Sequence, residues 1–360
     1  MHRWILVASA FVLAVALTAS CSPGYVLRAG WEEARILAGR QPIDQAVEDE
    51  SVPAETRDKL ALVRQVRVFA ERELGLDAGN SYRSFTELDR DTLVMVVSAA
   101  PELELRWKTW WFPIVGHLPY KGFFDFSAAR REAEKLEAAG YDTYVRPSAA
   151  FSTLGWFPDP VLSPSLRGDS LSVAETVIHE ITHTTFFPKG HARFNESFAN
   201  FVGHVGAIEF FCEAHADPEP CERARDRWHD VRVFGGFFES LRVPLETLYA
   251  SKLDDATKRT RKREIIESAA ERFRVDVAPR LRGARFGNLD VTRVDNAWLL
   301  SRLLYYTRLD DFDRLYGHHG ALRPVLTEVM NAAERGDPWQ ALDRLLARIP
   351  AEDAETASET

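Results

Sequence analysis

Two histidines and a glutamate lie close together in one predicted helix. Asp169 offers an N-cap, and apolar residues then recur at helical spacing over residues 171–181. His179 and His183 are four residues apart in this pattern, so their imidazoles face the same side of the helix. Glu180 lies next to His179 and is rotated off the pair. One helical turn is therefore predicted to present two nitrogen ligands to one metal ion.

A third ligand is expected from the following predicted helix. Catalytic zinc sites hold three protein ligands and keep a fourth position for water. Glu196 follows His183 by thirteen residues, and the segment 188–190 contains the proline and glycine that can turn the chain back. We therefore predict one Zn²⁺ bound by His179, His183 and Glu196, with Glu180 within reach of a water on that ion.

Two polar residues on these helices are predicted to support the ligands. Glu175 lies one turn before His179, and Asn200 lies one turn after Glu196. Each is in a position to hydrogen-bond a ligand from behind. For Glu175, a solvated or capping carboxylate in the first turn of the helix is the alternative.

Two further histidines are weaker candidates. His191 lies in the connecting loop and is an alternative ligand to Glu196, but a loop residue is less well placed than one on a helix. His204 lies two turns beyond Glu196, which is too far for the same ion. We expect His204 to be an ordinary helix histidine with satisfied hydrogen bonds.

The first twenty residues have the pattern of a sorting signal. Arg3 precedes an apolar stretch, Trp4 to Leu17, that is shorter than the roughly 20 residues of a membrane-spanning helix. Residues 17–21 then resemble a bacterial lipobox, which implies a lipid on Cys21. We expect cleavage after residue 20 and a lipid anchor in the bacterial envelope. Ser22 favours the outer membrane, facing the periplasm; an ordinary cleaved signal is the alternative.

The composition excludes several classes of protein. With 360 residues, 46% hydrophobic and 28% charged, the chain can bury a sizeable core and is not mainly disordered. Its net charge of −9 argues against nucleic acid as a partner. Three cysteines are too few for a disulfide-built scaffold. Cys212 and Cys221 are predicted to form a local disulfide in an oxidising compartment, with free thiols or a zinc pair as alternatives.

The pattern of residues divides the chain into four parts. Residues 1–20 are the signal, 21–165 mix helical patterns with short strand-like runs, 166–350 are mainly helical, and 351–360 form a disordered tail. The mixed part has predicted strands at 92–97, 110–112 and 141–145 and a helix at 127–139, which ends before Gly140. The pair Gly235-Gly236 indicates close packing or a turn rather than a phosphate loop. The predicted fold class is α+β.

Most of the chain after the signal resembles a known family. The two-histidine motif followed by Glu196 in Asn-Glu-x-x-Ala looks like the gluzincin zinc peptidases of the thermolysin-like superfamily. More narrowly, long stretches are similar to a family of bacterial lipoproteins regarded as aminopeptidases, among them residues 119–125, 141–145, 152–157 and 194–199. The resemblance implies a small N-terminal lobe of strands and helices, a mainly helical C-terminal lobe, one bound Zn²⁺, and Glu180 as general base.

The resemblance also implies the reaction. It points to hydrolysis of peptide bonds in peptides or proteins, with a helical donor for the oxyanion; we predict Tyr305 in this role. An aminopeptidase must also bind a free ammonium, for which Glu175, Asp159 and Asp125 are candidates, but the chain lacks a Gly-x-Met-Glu-Asn motif. An envelope endopeptidase, or a non-catalytic lipoprotein with a structural metal site, is the alternative.

Overall fold

A computed structural model describes most of the chain. The described residues are 31, 34–89, 92, 94–112, 116–148, 160–283, 289–334 and 336–350. The predicted signal, the predicted lipidation site Cys21 and the tail at 351–360 lie outside them. The described part has the expected α+β composition, with many helices and small sheets. None of its helices has the length and apolar character needed to cross a membrane.

The described strands are short and form three small sheets. They are β1 (Gln41–Pro42), β2 (Ser84–Thr86), β3 (Val94–Pro101), β4 (Trp110–Phe112), β5 (Gly116–Leu118), β6 (Tyr120–Phe123), β7 (Tyr141–Ser148) and β8 (Val161–Leu162). The sheet orders are β1-β2-β8, β6-β3-β7 and β4-β5. In the second sheet β3 lies between two antiparallel partners, and it is buried along most of its length.

The helices follow the pattern expected from the sequence. They are α1 (Ile43–Glu48), α2 (Ala54–Arg72), α3 (Phe126–Ala138), α4 (Ser170–Thr185), α5 (Ala192–Glu209), α6 (Pro218–Ala250), α7 (Asp255–Arg272), α8 (Asn296–Tyr306), α9 (Leu309–His319), α10 (Leu322–Ala333) and α11 (Pro338–Leu346). The predicted helix at 127–139 is α3, and Gly140 after it has a left-handed φ of 82°.

The two faces of the β6-β3-β7 sheet pack against different helices. Val97 and Phe123 on one face contact α3 in a small hydrophobic cluster. The other face carries Ala100 and Tyr144, which pack against Ala297 on α8. Side chains alternate between faces along a strand, so the even-numbered residues of β7 belong to the second face. This face is directed towards the helical part of the chain.

The largest hydrophobic core joins the early helix α2 to the later helices. Leu60 of α2, Ile178 of α4 and Phe198 of α5 belong to one buried cluster, which also includes residues of α9 and α10. The core therefore extends across residue 165, where the sequence suggests a lobe boundary. Burial of this continuous core fixes α4 against α5, and these two helices carry the predicted ligands.

A close approach between α4 and α5 depends on one glycine. A Cβ atom at Gly203 would lie 2.8 Å from the Glu175 carbonyl oxygen and 3.3 Å from the His179 Cβ. Gly235 has a similar role where α6 meets the end of α8, since its Cβ would lie 2.9 Å from the Tyr306 carbonyl oxygen. Gly235 thus makes the packing contact that the sequence suggested for the pair, whereas a Cβ atom at Gly236 would meet open space.

The two cysteines in the helical part are bonded to each other. Cys212 lies in a π-helical segment, Phe210–Ala214, that follows α5, and Cys221 lies in the first turn of α6. The S–S distance is 2.09 Å. The disulfide therefore closes the short connection between α5 and α6.

Candidate metal centre

Three ligand atoms from α4 and α5 converge on one point. The His179 Nε2 and His183 Nε2 atoms are 3.1 Å apart. Glu196 Oε2 lies 3.4 Å from His179 Nε2 and 3.6 Å from His183 Nε2. Among the described residues, these three form the group of histidine and carboxylate side chains that could hold a metal ion.

The spacing of these atoms suits a tetrahedral ion. Zinc bonds to nitrogen and carboxylate oxygen of about 2.0–2.1 Å place the ligand atoms of a tetrahedron about 3.3–3.4 Å apart. The observed separations of 3.1, 3.4 and 3.6 Å bracket this value. Two imidazoles and one carboxylate are also the donor set that Zn²⁺ accepts in catalytic sites. The residues present therefore fit a zinc ion.

The surroundings of the two histidines differ. The His179 ring packs against the Tyr305 ring of α8, with the ring centroids 6.2 Å apart. His183 Nδ1 is buried and has no hydrogen-bond partner. The His183 ring instead packs edge-on against Phe187, with the ring centroids 5.6 Å apart. The His183 ring is thus held by packing against Phe187 and the His179 ring by packing against Tyr305.

Glu196 is held as a carboxylate. Burial alone would raise its pKa, but hydrogen bonds and charge attraction from His179 and His183 outweigh burial and lower the pKa well below the usual range. An ionised carboxylate beside two imidazoles is the state that binds a cation. The lowered pKa of Glu196 and the distances between the three ligand atoms therefore both favour binding of a metal ion.

Glu180 and Tyr305 lie beside the three ligand residues. The Glu180 side chain is half-buried and has no hydrogen bond to another side chain in the described part of the chain. The Tyr305 ring lies 6.2 Å from the His179 ring, centroid to centroid. Burial, and then the negative charge of Glu196, raise the pKa of Tyr305, so its hydroxyl remains a donor at neutral pH.

The neighbouring Tyr306 has a different environment. Its ring lies 5.9 Å from Phe238 and 6.2 Å from Phe234, in an aromatic cluster between α6 and α8. Tyr306 is therefore a packing residue, while Tyr305 is the tyrosine of this pair at the site.

The prediction for Asn200 needs a correction. Its Nδ2 donates to the Tyr305 carbonyl oxygen at 3.0 Å, and it does not bond a ligand imidazole. The side chain extends from α5 towards the end of α8, because α8 packs along α5 at this level. Ser197 supports the same junction, donating to the Leu304 carbonyl oxygen at 3.1 Å. Asn200 thus positions the backbone of Tyr305.

Glu175 also has partners other than those predicted. Its carboxylate accepts from Arg227 Nη1 at 3.0 Å and lies 2.9 Å from His204 Nδ1, both away from the ligand atoms. It is buried, so it is neither a ligand support nor a solvated carboxylate. His204, stacked on Trp228, is the satisfied helix histidine that the sequence suggests. These residues brace α4 against α5 and α6.

The remaining predicted candidates lie elsewhere. His191 Nδ1 is 3.7 Å from an Asp337 carboxylate oxygen and is outside the ligand group. Asp125 is occupied as the N-cap of α3, where it accepts from the Ser127 and Ala128 backbone amides. Asp159 lies outside the described residues.

The sheet contributes two residues that sequence reasoning missed. Tyr120 on β6 and Arg146 on β7 are both close enough to Tyr305 to affect its pKa. Burial, and then the negative charges of Glu196 and Glu180, raise the pKa of Tyr120. Tyr120 lies in the family-like stretch 119–125, but the sequence predicts no functional role for either residue. Both residues lie on the same face of the sheet. This can be recognised only when the pairing of β6 and β7 with β3 is known.

A comparison with known families matches almost the whole described chain. Residues 24–338 match a family described as "Putative aminopeptidase". Neither the curated proteins nor the solved structures gave a significant match. The match includes the helices that carry His179, Glu180, His183 and Glu196, as well as the β6-β3-β7 sheet.

Proposed function

The chain belongs to the family described as "Putative aminopeptidase", and we propose that it is a zinc-dependent aminopeptidase of the gluzincin type. The observation that carries this proposal is the convergence of His179, His183 and Glu196 within 3.6 Å of one another, with Glu180 adjacent. The family description supports hydrolysis of peptide bonds. The geometry of the three ligand atoms supports a metal-dependent mechanism for this hydrolysis.

The residues around the ligands have distinct proposed roles. A bound Zn²⁺ would supply a Lewis acid for the scissile carbonyl and lower the pKa of water to about 7. Glu180 accepts a proton from the attacking water and returns it to the leaving amine. No other described side chain competes for its carboxylate, so the carboxylate is available for both transfers.

Tyr305 is the proposed donor to the oxygen that becomes negative during attack. Its hydroxyl is protonated at neutral pH because burial and the neighbouring Glu196 raise the pKa. Asn200 holds the Tyr305 carbonyl, and the ring contacts His179. A donor fixed in this way needs little reorganisation during the reaction.

We propose that the enzyme acts in the bacterial envelope. The leader at 1–20 and the lipobox-like residues 17–21 support a lipid anchor at Cys21 and a location at the outer membrane facing the periplasm. The disulfide between Cys212 and Cys221 is compatible with that oxidising compartment. Substrates would then be peptides or proteins present in the envelope.

Endopeptidase action is a second candidate with specific support. Two of the three carboxylates considered for binding a substrate ammonium are engaged elsewhere, Glu175 with Arg227 and Asp125 at the start of α3. Neither of these two candidates therefore supplies a spare carboxylate for a substrate ammonium. Recognition of the substrate N-terminus therefore distinguishes aminopeptidase from endopeptidase action.

One peptide with a free and with an acetylated N-terminus separates the two activities. We expect acetylation to lower kcat/KM by about 10-fold to 100-fold, the loss that corresponds to one charge-assisted hydrogen bond. The products are identified by mass spectrometry, and release of the first residue is expected from the free peptide. Equal cleavage of both peptides at an internal bond would show an endopeptidase instead.

A further inference from the structure

An arginine without a counter-ion among the described residues lies on the sheet face that packs against α8. Arg146 on β7 is half-buried, and no described residue forms a hydrogen bond or an ion pair with it. It shares the even-numbered face of β7 with Asp142 and Tyr144. That face packs against α8, the helix that ends with Tyr305 and Tyr306.

Two contacts fix how α8 runs along β7. The Asn296 backbone amide donates to Asp142 Oδ2 at 2.9 Å, and Arg302 Nη2 donates to Tyr144 Oη at 2.8 Å. The helix and the strand therefore advance in the same direction.

The level of Arg146 follows from this alignment. The nine residues from Asn296 to Tyr305 advance about 13.5 Å along a helix, and the four residues from Asp142 to Arg146 advance about 13 Å along a strand. Arg146 therefore lies level with Tyr305, next to the metal centre. The charge of Arg146 agrees with this position: it opposes the rise in pKa that burial causes in both Tyr305 and Tyr120.

A second cation lies beside it. The Arg302 guanidinium lies over the rings of Trp298 and Tyr144, 4.8 and 5.5 Å from their centroids. Its buried Nε has no hydrogen-bond partner, and no described carboxylate pairs with it. The aromatic rings offset part of its charge. Among the described residues Arg146 has no such partner, so its charge remains available for a ligand.

A half-buried guanidinium is unfavourable unless an anion or water satisfies it. The carboxylates of the candidate metal centre, Glu196 and Glu180, have other roles in the proposed reaction. The planar fork of an arginine matches a carboxylate through two parallel hydrogen bonds.

We propose that Arg146 binds a carboxylate of the substrate. The carboxylate is either the C-terminal α-carboxylate of a short peptide or the side chain of an Asp or Glu residue. This inference rests on the proposed peptidase function and adds a substrate preference to it. The enzyme is then selective for anionic peptides, and Arg146 is a specificity residue rather than a participant in bond cleavage.

The test compares Arg146→Gln with two other variants. Arg146→Lys keeps the charge without the fork, and Lys121→Gln removes one positive charge from the opposite face of the same sheet. Each variant is assayed on two pairs of tripeptides with a free N-terminus. The first pair is one tripeptide as free acid and as C-terminal amide. The second pair consists of two C-terminal amides that differ only in Asp or Asn as the last residue. Thermal unfolding and zinc content show that each variant is folded and loaded.

We expect the wild-type chain to prefer one acidic substrate over its neutral partner by about 10-fold to 100-fold in kcat/KM, mainly through KM. Arg146→Gln loses this preference, Arg146→Lys keeps part of it, and Lys121→Gln keeps all of it. A preference within the first pair shows that the C-terminal carboxylate is bound. A preference within the second pair shows that an acidic side chain is bound. Equal rates within both wild-type pairs would overturn the inference, as would an unchanged preference in Arg146→Gln.

A binding measurement separates this inference from the proposed function. Calorimetry on Glu180→Gln and on Glu180→Gln with Arg146→Gln uses the same tripeptide acid and amide, without turnover. Tighter binding of the acid that depends on Arg146 supports the inference even if the wild-type chain hydrolyses no peptide. Peptide hydrolysis with equal binding of acid and amide would overturn the inference and leave the peptidase function standing.

Discussion

Replacing Glu180 by Gln is expected to lower kcat for peptide hydrolysis by roughly 10²-fold to 10⁴-fold, the usual contribution of a positioned general base. The amide has nearly the shape of the carboxylate but cannot accept the proton of the attacking water. Glu180 is not one of the three ligand residues, so the variant is expected to keep its zinc. A large loss of kcat with unchanged metal content is the signature of a proton-transfer residue.

The control for this change is Glu267→Gln. Glu267 is an exposed glutamate on α7, remote from the metal centre, so the same chemical change there should leave kcat unaffected. Stopped assays on a mixed peptide library measure both variants, with zinc measured on the same samples. Hydrolysis by a zinc-loaded Glu180→Gln at the wild-type rate would exclude Glu180 as the base.

Replacing Glu175 by Ala is expected to cost about 3–5 kcal/mol in the free energy of unfolding, as for other broken buried ion pairs. The change leaves the charge of Arg227 and the ring of His204 without their shared partner. Arg227 keeps its contact with Asp169 at 2.9 Å, which favours the lower part of this range. Chemical denaturation followed by circular dichroism gives the value.

Glu219→Ala provides the matched comparison. Glu219 lies 4.0 Å from Arg223 in an exposed pair on α6, and such pairs contribute about 1 kcal/mol or less. The two variants therefore remove the same side chain from a buried and from an exposed ion pair. Equal unfolding free energies for the two variants would show that the Glu175 network does not brace α4.

The grouping of His179, His183 and Glu196 could be predicted from sequence because their arrangement is local. Helical periodicity places His179 and His183 on one face, and a short connection brings Glu196 back towards them. Three of the eight described strands, β3, β4 and β7, and the helix before Gly140 were also predicted, because runs of β-branched and aromatic residues and helix capping are local signals. The thermolysin-like assignment remains part of the proposal.

The partners of Glu175 and Asn200 could not be predicted from spacing alone. Helical spacing shows which face a residue occupies, but the partner depends on how neighbouring helices pack. Gly203 lets α5 approach α4 closely, and Glu175 then pairs with residues of α5 and α6. Asn200 similarly contacts α8, which is a hundred residues away in the chain.

Tyr120 and Arg146 were missed for a related reason. They join the site only through the pairing of β6 and β7 with β3, and strand register over such distances has no local signal. A shift of one residue would turn Arg146 to the opposite face. The sequence therefore indicates the metal centre but not the sheet residues that face it.

Zinc content and peptide hydrolysis measured on one sample test the central claim most directly. The purified chain, a chelator-treated sample and the same sample after zinc is returned are compared with His183→Ala. We predict about one Zn²⁺ per chain, loss of both zinc and hydrolysis after chelation, recovery of both on adding zinc, and neither in His183→Ala. Full hydrolysis by the metal-free chain, or undiminished zinc in His183→Ala, would contradict the account.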